Sequence, residues 1–371
     1  MAQKIAKFYP REAFVGVTGS VGKTTTTKAA FAVLSQKFKT ISTHQSKLSN
    51  LDPIFNIPMT ILRLRPSVKK AIFEMGVEFP GDMDINLSLV QPASAIFTRT
   101  YFAHSQFLGD NQQIFEEKVK VIKQLPQDGY AILNWDDVWV RKAAEQTKAQ
   151  VIFYGMDPKN CHVWADKVSI DQKMSTFQLN YGVERVEVKY ALLGRHQLYS
   201  ALAASALGIS CGLSLTNVKK GLETVEPESH RLQLLDGIGD TLVLDDTYNS
   251  SPSAVEGAID LLMELPARRR VIVLGEMREL GKFSEELHRK VAQKIYKEKV
   301  DLVFLGGGDA VFIGDELKKL GFPEERIEQG LSNPQIVAKL LRVGGKGDVI
   351  LVKASRSVRL DEVVQRITKR R

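Results

Sequence analysis

Cysteine is scarce in this sequence, which holds only Cys161 and Cys211 and no pair in CxxC spacing. That scarcity excludes a disulfide framework and a cysteine-ligated zinc cluster. Long apolar runs are also missing, because no stretch approaches the roughly 18 apolar residues that span a membrane. Residues 1–10 lack the apolar core of a signal peptide. We therefore expect a cytoplasmic protein that does not insert into a membrane.

Nucleic-acid-binding motifs are missing as well, although the chain carries a net charge of +8. Its basic residues are scattered, apart from Arg268, Arg269 and Arg270 and a basic tail, so we expect no nucleic-acid partner. The positive charge is compatible with acidic ligands such as nucleotides, and equally with solubility alone. With 371 residues, 44% apolar and 25% charged, the chain has the composition of a globular protein of two or three domains.

Short apolar runs alternate with longer amphipathic stretches, which predicts an α/β fold with a mostly parallel sheet. A change of pattern over residues 175–188 predicts an antiparallel hairpin that extends this sheet. A second α/β series follows residue 227, so we expect domains at 1–226 and 227–371. The runs that predict strands are 14–17, 71–73, 95–97, 130–133 and 151–154, then 242–244, 271–274, 302–305 and 349–352.

A glycine-rich turn follows the first predicted strand, in the sequence FVGVTGSVGKTTT of residues 14–26. Gly19 and Gly22 allow backbone N–H groups to approach phosphate oxygens at the start of a helix. Lys23 can reach the β- and γ-phosphates, and the Thr24 hydroxyl can bind Mg²⁺. The turn therefore predicts that the chain uses a nucleoside triphosphate, ATP being the expected one.

Three further side chains stand out after the turn. Glu74 ends a predicted strand, where a carboxylate can serve a phosphate-bound Mg²⁺. His104 follows the next strand, and Lys118 comes fourteen residues later. On a helix over residues 111–125, Lys118 falls inside the stripe of Ile114, Phe115, Ile122 and Leu125, whereas Glu116, Glu117, Lys120 and Lys123 fall outside it. A lysine on a buried face must snorkel, pair or be modified.

Together these features resemble the Mur ligase family, from about residue 13 onward. In that family a lysine fourteen residues after a metal-binding histidine is carbamylated by CO₂. The phosphate loop itself, TGSVGKT over residues 18–24, is similar to the family's Thr-Gly-Ser/Thr-x-Gly-Lys-Thr/Ser pattern. The remaining matching segments are NWDD (134–137), LGRH (193–196), DDTYNSSP (245–252), GEMRELG (275–281) and KASR (353–356), with Arg231 and His288.

The resemblance implies an ATP-binding central domain, followed by a Rossmann-like C-terminal domain. It implies an ATP-dependent ligase that joins a carboxylate to an amine through an acyl-phosphate, on a cell-wall-precursor-like peptide and an amino acid or dipeptide such as D-Ala-D-Ala. The cofactors implied are ATP, two Mg²⁺ ions and a CO₂-derived carbamate on Lys118. The family's N-terminal domain, which holds a uridine nucleotide, has no counterpart before Phe14, so a protein partner in its place is a further expectation.

Residue roles carry over from the family position by position. Lys23, Lys118, His104 and Arg231 would be catalytic, and Arg231 would reach ATP when the domains close. Thr24, Glu74, His104 and Lys118 would hold metal, and Lys353, Ser355 and Arg356 would contact substrate. The nucleotide would be bound by Gly19, Ser20, Val21, Gly22, Lys23, Thr24, Thr25, Asn134, His196, Arg231, Asp246 and Asn249.

The sequence departs from the family pattern at four positions, and two other hypotheses are also open. Arg99, Gln197, Ser200 and Ser251 stand where asparagines are usual. One alternative is a ParA-like ATPase switch, although Thr18 replaces the signature lysine of that class. The other is an ATP-binding subunit whose partner supplies substrate specificity.

Overall fold

A computed structural model describes residues 1–45, 53–101, 108 and 110–369. His104 lies outside the described residues. Two compact units are present. The first comprises Met1–Ser169, Ser175–Ala191 and Arg195–Val225, and the second comprises Ile170–Met174, Leu192–Gly194 and Glu226–Arg371.

Both units alternate strands and helices. The described strands are β1 (Phe14–Thr18), β2 (Thr40–Ser42), β3 (Lys70–Glu74), β4 (Ser94–Phe97), β5 (Tyr130–Asn134), β6 (Gln150–Gly155), β7 (Val163–Ile170), β8 (Ser175–Tyr181), β9 (Glu184–Tyr190), β10 (Gln233–Asp236), β11 (Leu242–Asp246), β12 (Arg269–Leu274), β13 (Leu302–Gly306), β14 (Ile327–Leu331) and β15 (Asp348–Lys353). The described α-helices are α1 (Ala2–Ala6), α2 (Lys23–Leu34), α3 (Pro53–Leu62), α4 (Asp82–Leu89), α5 (Asn111–Lys123), α6 (Val138–Lys142), α7 (Arg195–Ser210), α8 (Leu215–Leu222), α9 (Pro252–Glu264), α10 (Ser284–Glu298), α11 (Val311–Lys319), α12 (Asn333–Val343) and α13 (Asp361–Ile367).

The first unit contains a sheet in the order β2-β3-β1-β4-β5-β6-β7-β8-β9. The pairs from β2 to β7 are parallel, and β8 pairs with β9 in antiparallel fashion. The predicted α/β class with an antiparallel extension is confirmed. Strands β2 and β7 were not among the predicted runs, because β2 is only three residues long and β7 is exposed along its second half.

The second unit contains a sheet in the order β10-β11-β15-β12-β13-β14. It is parallel except for its edge strand β10, which pairs with β11 in antiparallel fashion. The carboxyl ends of β11, β15, β12 and β13 therefore meet at one edge. Loops at that edge of a parallel sheet are where α/β proteins place their ligands.

Close helix packing positions α2, the helix that begins at Lys23. Its face of small residues, including Ala29 and Ala30, is fully buried. At Gly221 in α8, an added Cβ would lie 2.6 Å from the Cα atom of Val33 and 2.8 Å from the carbonyl oxygen of Ala32. Only glycine permits this approach of α8 to α2.

Gly221→Ala should therefore destabilise the first unit, because the backbone of α2 cannot yield as a flexible side chain would. We expect a loss of about 1–3 kcal/mol, typical of overpacking, in urea unfolding. Gly307→Ala is the control, since open space surrounds that position. Equal stability of the two variants would contradict the packing argument.

Candidate active site

The glycine-rich turn joins β1 to α2. Gly19 has φ +144° and Gly22, the N-cap of α2, has φ +80°, so both adopt backbone conformations that favour glycine. Neither a side-chain cap nor an acidic residue occupies the first turn of α2 within the described chain. The start of a helix without such groups favours an anion through its backbone N–H groups.

Hydrogen bonds tie this turn to the segment after β4. The Ser20 hydroxyl donates to the Tyr101 carbonyl at 2.8 Å and accepts from the Tyr101 N–H at 3.0 Å. The Ser20 N–H donates to the Arg99 carbonyl, and the Thr98 hydroxyl donates to the Val21 carbonyl at 2.7 Å. Ser20 thus holds the loop through both its hydroxyl and its backbone amide, a role that the sequence pattern did not indicate.

Lys23, Thr24 and Glu74 lie at the edge of this turn. The Lys23 ammonium donates to the Gly19 carbonyl at 2.9 Å, which holds it over the loop. The Thr24 hydroxyl donates to Oε1 of Glu74 at 3.2 Å. A hydroxyl and a carboxylate brought together in this way are oxygen ligands suited to Mg²⁺. The structure thus brings together three of the side chains that the sequence singled out.

Lys118 lies in the interior, on α5. Its side chain is fully buried, and its Nζ has no hydrogen-bonding partner among the described residues. Burial holds the pKa of Lys118 well below its usual value; the nearby Lys23 charge lowers it further, while Glu117 and Asp82 raise it. These surroundings favour the neutral form of the amine over the ammonium.

Glu117 departs from its predicted position outside the apolar stripe, because the structure buries it at 6% exposure. Its Oε1 accepts from the N–H groups of Gly81 (3.1 Å) and Met83 (2.9 Å), and its Oε2 pairs with Lys120 at 2.8 Å. The helix pattern alone did not predict this burial, because the two N–H groups that bond to Glu117 lie more than thirty residues earlier in the chain.

Two other predicted nucleotide residues belong to the first unit. Asn134 ends β5, is buried, and donates from Nδ2 to the Thr98 carbonyl at 2.9 Å. It thereby supports the same segment that anchors the phosphate loop. His196 lies in the first turn of α7. Within the described chain, no group of three or more His, Cys, Asp and Glu side chains is placed to hold a metal ion.

In the second unit, Asp246 and Lys353 face each other at the ends of the paired strands β11 and β15. Lys353 is almost fully buried, and its Nζ lies 2.5 Å from Oδ2 of Asp246 and donates to the Asn249 carbonyl at 2.7 Å. The amide oxygen of Asn249 accepts from the N–H of Ser250. Lys353 therefore fastens the turn that carries Asp246 and Asn249, two of the three predicted nucleotide residues of this unit.

Ser355 and Arg356 follow β15 at the same edge. The Ser355 hydroxyl accepts from the N–H of Arg278 at 2.9 Å, which joins the loops after β15 and β12. Arg356 is more than half exposed, with Asp361 3.5 Å away. Behind them, buried His288 accepts from the N–H of Met277 at 3.0 Å, and burial lowers the pKa of His288.

Arg231 lies in a short segment of unusual backbone geometry. His230 and Leu232 on either side of it have φ values of +65° and +53°, which L-residues seldom adopt. The guanidinium lies 3.9 Å from the centre of the Tyr248 ring and 3.0 Å from Oε2 of Glu228. The contact with Tyr248 was not foreseen from the sequence.

Comparisons with known proteins agree with this arrangement. Residues 17–208 match the Mur ligase middle domain, and residues 230–356 match the family described as Mur ligase, glutamate ligase domain. The chain belongs to the Mur ligase family, and is an ATP-dependent ligase that forms carbon–nitrogen bonds. The match favours this class over a ParA-like switch. None of the described helices is long and apolar enough to cross a membrane.

Particular relatives share most of their length with this chain. It is 31% identical to the UDP-N-acetylmuramoyl-tripeptide--D-alanyl-D-alanine ligase of Bacillus subtilis, over 98% of this chain and 78% of that protein. The enzyme of the same name from Escherichia coli is 30% identical, over 95% of this chain and 76% of its own. Among solved structures, MurF from Acinetobacter baumannii matches with a TM-score of 0.88 at 23% identity, over 98% of this chain and 78% of its own. MurF from Thermotoga maritima in complex with ADP matches with a TM-score of 0.83 at 24% identity, over 98% and 81%. These two structures support the fold.

Gly19→Ala should weaken ATP binding, because its Cβ would collide with the Thr98 hydroxyl at a backbone angle that alanine seldom adopts. We expect affinity for a fluorescent ATP analogue to fall about 5- to 150-fold, as a strain of about 1–3 kcal/mol implies. Gly182→Ala, at φ +57° in open space within the hairpin, is the control and should bind normally. Unchanged affinity in Gly19→Ala would refute the proposed phosphate loop.

Proposed function

We propose that this ligase activates a substrate carboxylate as an acyl-phosphate and transfers the acyl group to an amine. By the names of its relatives, the carboxylate would belong to a uridine-nucleotide-linked muramoyl tripeptide, and the amine would be D-alanyl-D-alanine. Such a reaction belongs to peptidoglycan precursor synthesis. The observation that carries the proposal is the buried Lys118 amine, which lies near Lys23 of an anchored phosphate loop and has no hydrogen-bonding partner among the residues that the structure describes.

The loop residues would provide most of the catalysis by position and charge. Gly19, Val21, Gly22 and the N–H groups that begin α2 would cradle the phosphates of ATP, and Lys23 would neutralise the γ-phosphate as the carboxylate attacks it. Ser20 would keep the loop in place through Tyr101. Preorganised positive charge around a transferring phosphoryl group is the main catalytic device of such reactions.

Two cations complete the proposal. Thr24 and Glu74 would hold one Mg²⁺, and His104 together with carbamylated Lys118 would hold a second; when bound, these ions neutralise charge on the phosphates and the attacking oxygen. The residues that the structure describes fit this assignment, since Thr24 and Glu74 already meet and the Lys118 amine lacks a competing partner.

The second unit would supply the remaining contacts. Asp246, Asn249 and Arg231 would contact the nucleotide, as would Asn134 and His196 of the first unit. Ser355 and Arg356 would contact the amine substrate, with Lys353 nearby. Arg356 has the exposure needed to bind a substrate carboxylate. Residues 1–226 and 227–371 would act as the ATP-binding and amine-binding domains.

We predict that ATP is converted to ADP and phosphate only when both substrates are present, because a carboxylate and not water attacks the γ-phosphate. Hydroxylamine with the carboxylate substrate alone should trap a hydroxamate, detectable by mass spectrometry. Release of AMP and pyrophosphate would indicate adenylation and overturn the proposal. Activity that arises only with a second protein would favour an ATP-binding subunit instead.

Lys118→Ala should abolish ligation, a fall of at least about 10²-fold expected on losing an electrostatic group, while leaving ATP binding largely intact. Small carboxylic acids should restore part of the rate by filling the vacated anion site. Lys118→Arg should stay inactive, because a guanidinium keeps its positive charge and forms no such carbamate. Near-normal turnover by Lys118→Arg would show that this position needs only a cation.

A further inference from the structure

We propose that Glu117 is a positioning residue that sets helix α5, and with it Lys118, in register with the chain segment that follows Glu74. This inference rests on the proposed function, in which Lys118 and Glu74 both serve the cations. Glu117 itself touches neither substrate nor cation. It would act through the placement of its neighbour.

Apolar contacts alone leave the axial position of α5 loosely defined. The face around Lys118 packs through Ile114, Phe115 and Ile122, all buried, and such contacts are non-directional. Hydrogen bonds have narrow limits of distance and angle and therefore fix a position along the helix. A helix advances about 1.5 Å per residue, so even a partial slip would displace Lys118 by an amount that matters for catalysis.

Glu117 provides such directional contacts at the residue next to Lys118. Its Oε1 accepts from two N–H groups at the start of α4, those of Gly81 and Met83. Its Oε2 forms an ion pair with the Lys120 ammonium at 2.8 Å. Lys120 in turn lies 2.5 Å from Asp84 in α4. A buried carboxylate satisfied in this way joins α5 to α4 at a defined point.

The start of α4, which bonds to Glu117, is connected to Glu74 by residues 75–81, and this segment is itself held by hydrogen bonds. Directly after Glu74, Met75 donates its N–H to Val17 and accepts at its carbonyl from the Thr18 hydroxyl. The Asn86 side chain donates to the Gly76 carbonyl at 3.0 Å. Both ends of the segment 75–83 are therefore fixed, one to β1 beside the phosphate loop and the other to Glu117.

The test compares wild type with Glu117→Ala, Glu117→Gln and the control Lys120→Met, all well below their unfolding temperatures. Lys120→Met removes the ion pairs of Lys120 with Glu117 and with Asp84 but keeps both hydrogen bonds from the α4 backbone to Glu117. Three quantities are measured: the Mg²⁺ concentration that half-activates ligation, the carbamate signal in ¹³C NMR with ¹³C-bicarbonate, and metal-free binding of an ATP analogue.

We expect Glu117→Ala to raise the half-activating Mg²⁺ concentration about tenfold, as displacement of a catalytic group by a fraction of 1 Å implies, and to lower the carbamate signal. Glu117→Gln keeps an acceptor oxygen and should recover most of both. Lys120→Met should behave as wild type, and analogue binding should stay within about twofold in all three, because the phosphate loop is anchored separately.

Normal Mg²⁺ activation and a normal carbamate signal in folded Glu117→Ala would overturn the inference and leave the proposed function standing. Lower thermal stability alone, with both readouts unchanged, would show a merely structural role. If Glu117→Ala does not fold, the same criteria apply to Glu117→Gln, for which a small shift in the Mg²⁺ curve that Lys120→Met does not share supports the inference. Wild type that shows neither carbamate nor Mg²⁺-dependent ligation would overturn the proposed function itself.

Discussion

Burial of the Lys118 amine without a hydrogen-bonding partner in the described structure is the constraint on which the first unit depends. An ammonium in such surroundings is costly, and the charge of Lys23 nearby adds to the cost. The interior therefore favours a neutral amine, and an anion formed on it would be attracted by Lys23. The proposed role of Lys118 requires that α5 and the phosphate loop are each held in position. Glu117 holds α5, and Ser20 holds the phosphate loop, through hydrogen bonds to the backbone of neighbouring segments.

Lys353 is a second buried lysine in this chain, and its surroundings differ from those of Lys118. It is as deeply buried as Lys118, yet its ammonium meets the Asp246 carboxylate and the Asn249 carbonyl. A lysine paired in this way fastens a turn. The contrast separates a lysine that organises a loop from one whose nitrogen has no hydrogen-bonding partner within the described part of the chain.

The phosphate loop illustrates how anchoring and binding are divided among its atoms. The loop is anchored to the segment 98–101 by hydrogen bonds of the Ser20 hydroxyl, the Ser20 N–H and the Val21 carbonyl. The N–H groups that begin α2 are left without a side-chain cap. Because Asn134 supports Thr98 from the neighbouring strand, the loop is fixed from two directions before any anion arrives.

Apolar periodicity and motif spacing are local properties, and they were sufficient to predict the α/β class, most of the parallel strands, the phosphate loop and the burial of Lys118. The predicted runs did not include strands β2, β7, β10 and β14, and the burial of Glu117 was not predicted either, because its expected place was outside the apolar stripe. Three contacts arise only when the chain is folded: Ser20 bonds to Tyr101, Glu117 caps α4, and Lys353 pairs with Asp246. Those partners are 81, 34 to 36 and 107 residues apart in the chain. Such bonds depend on which loops the sheet order brings side by side, and no local pattern encodes that order.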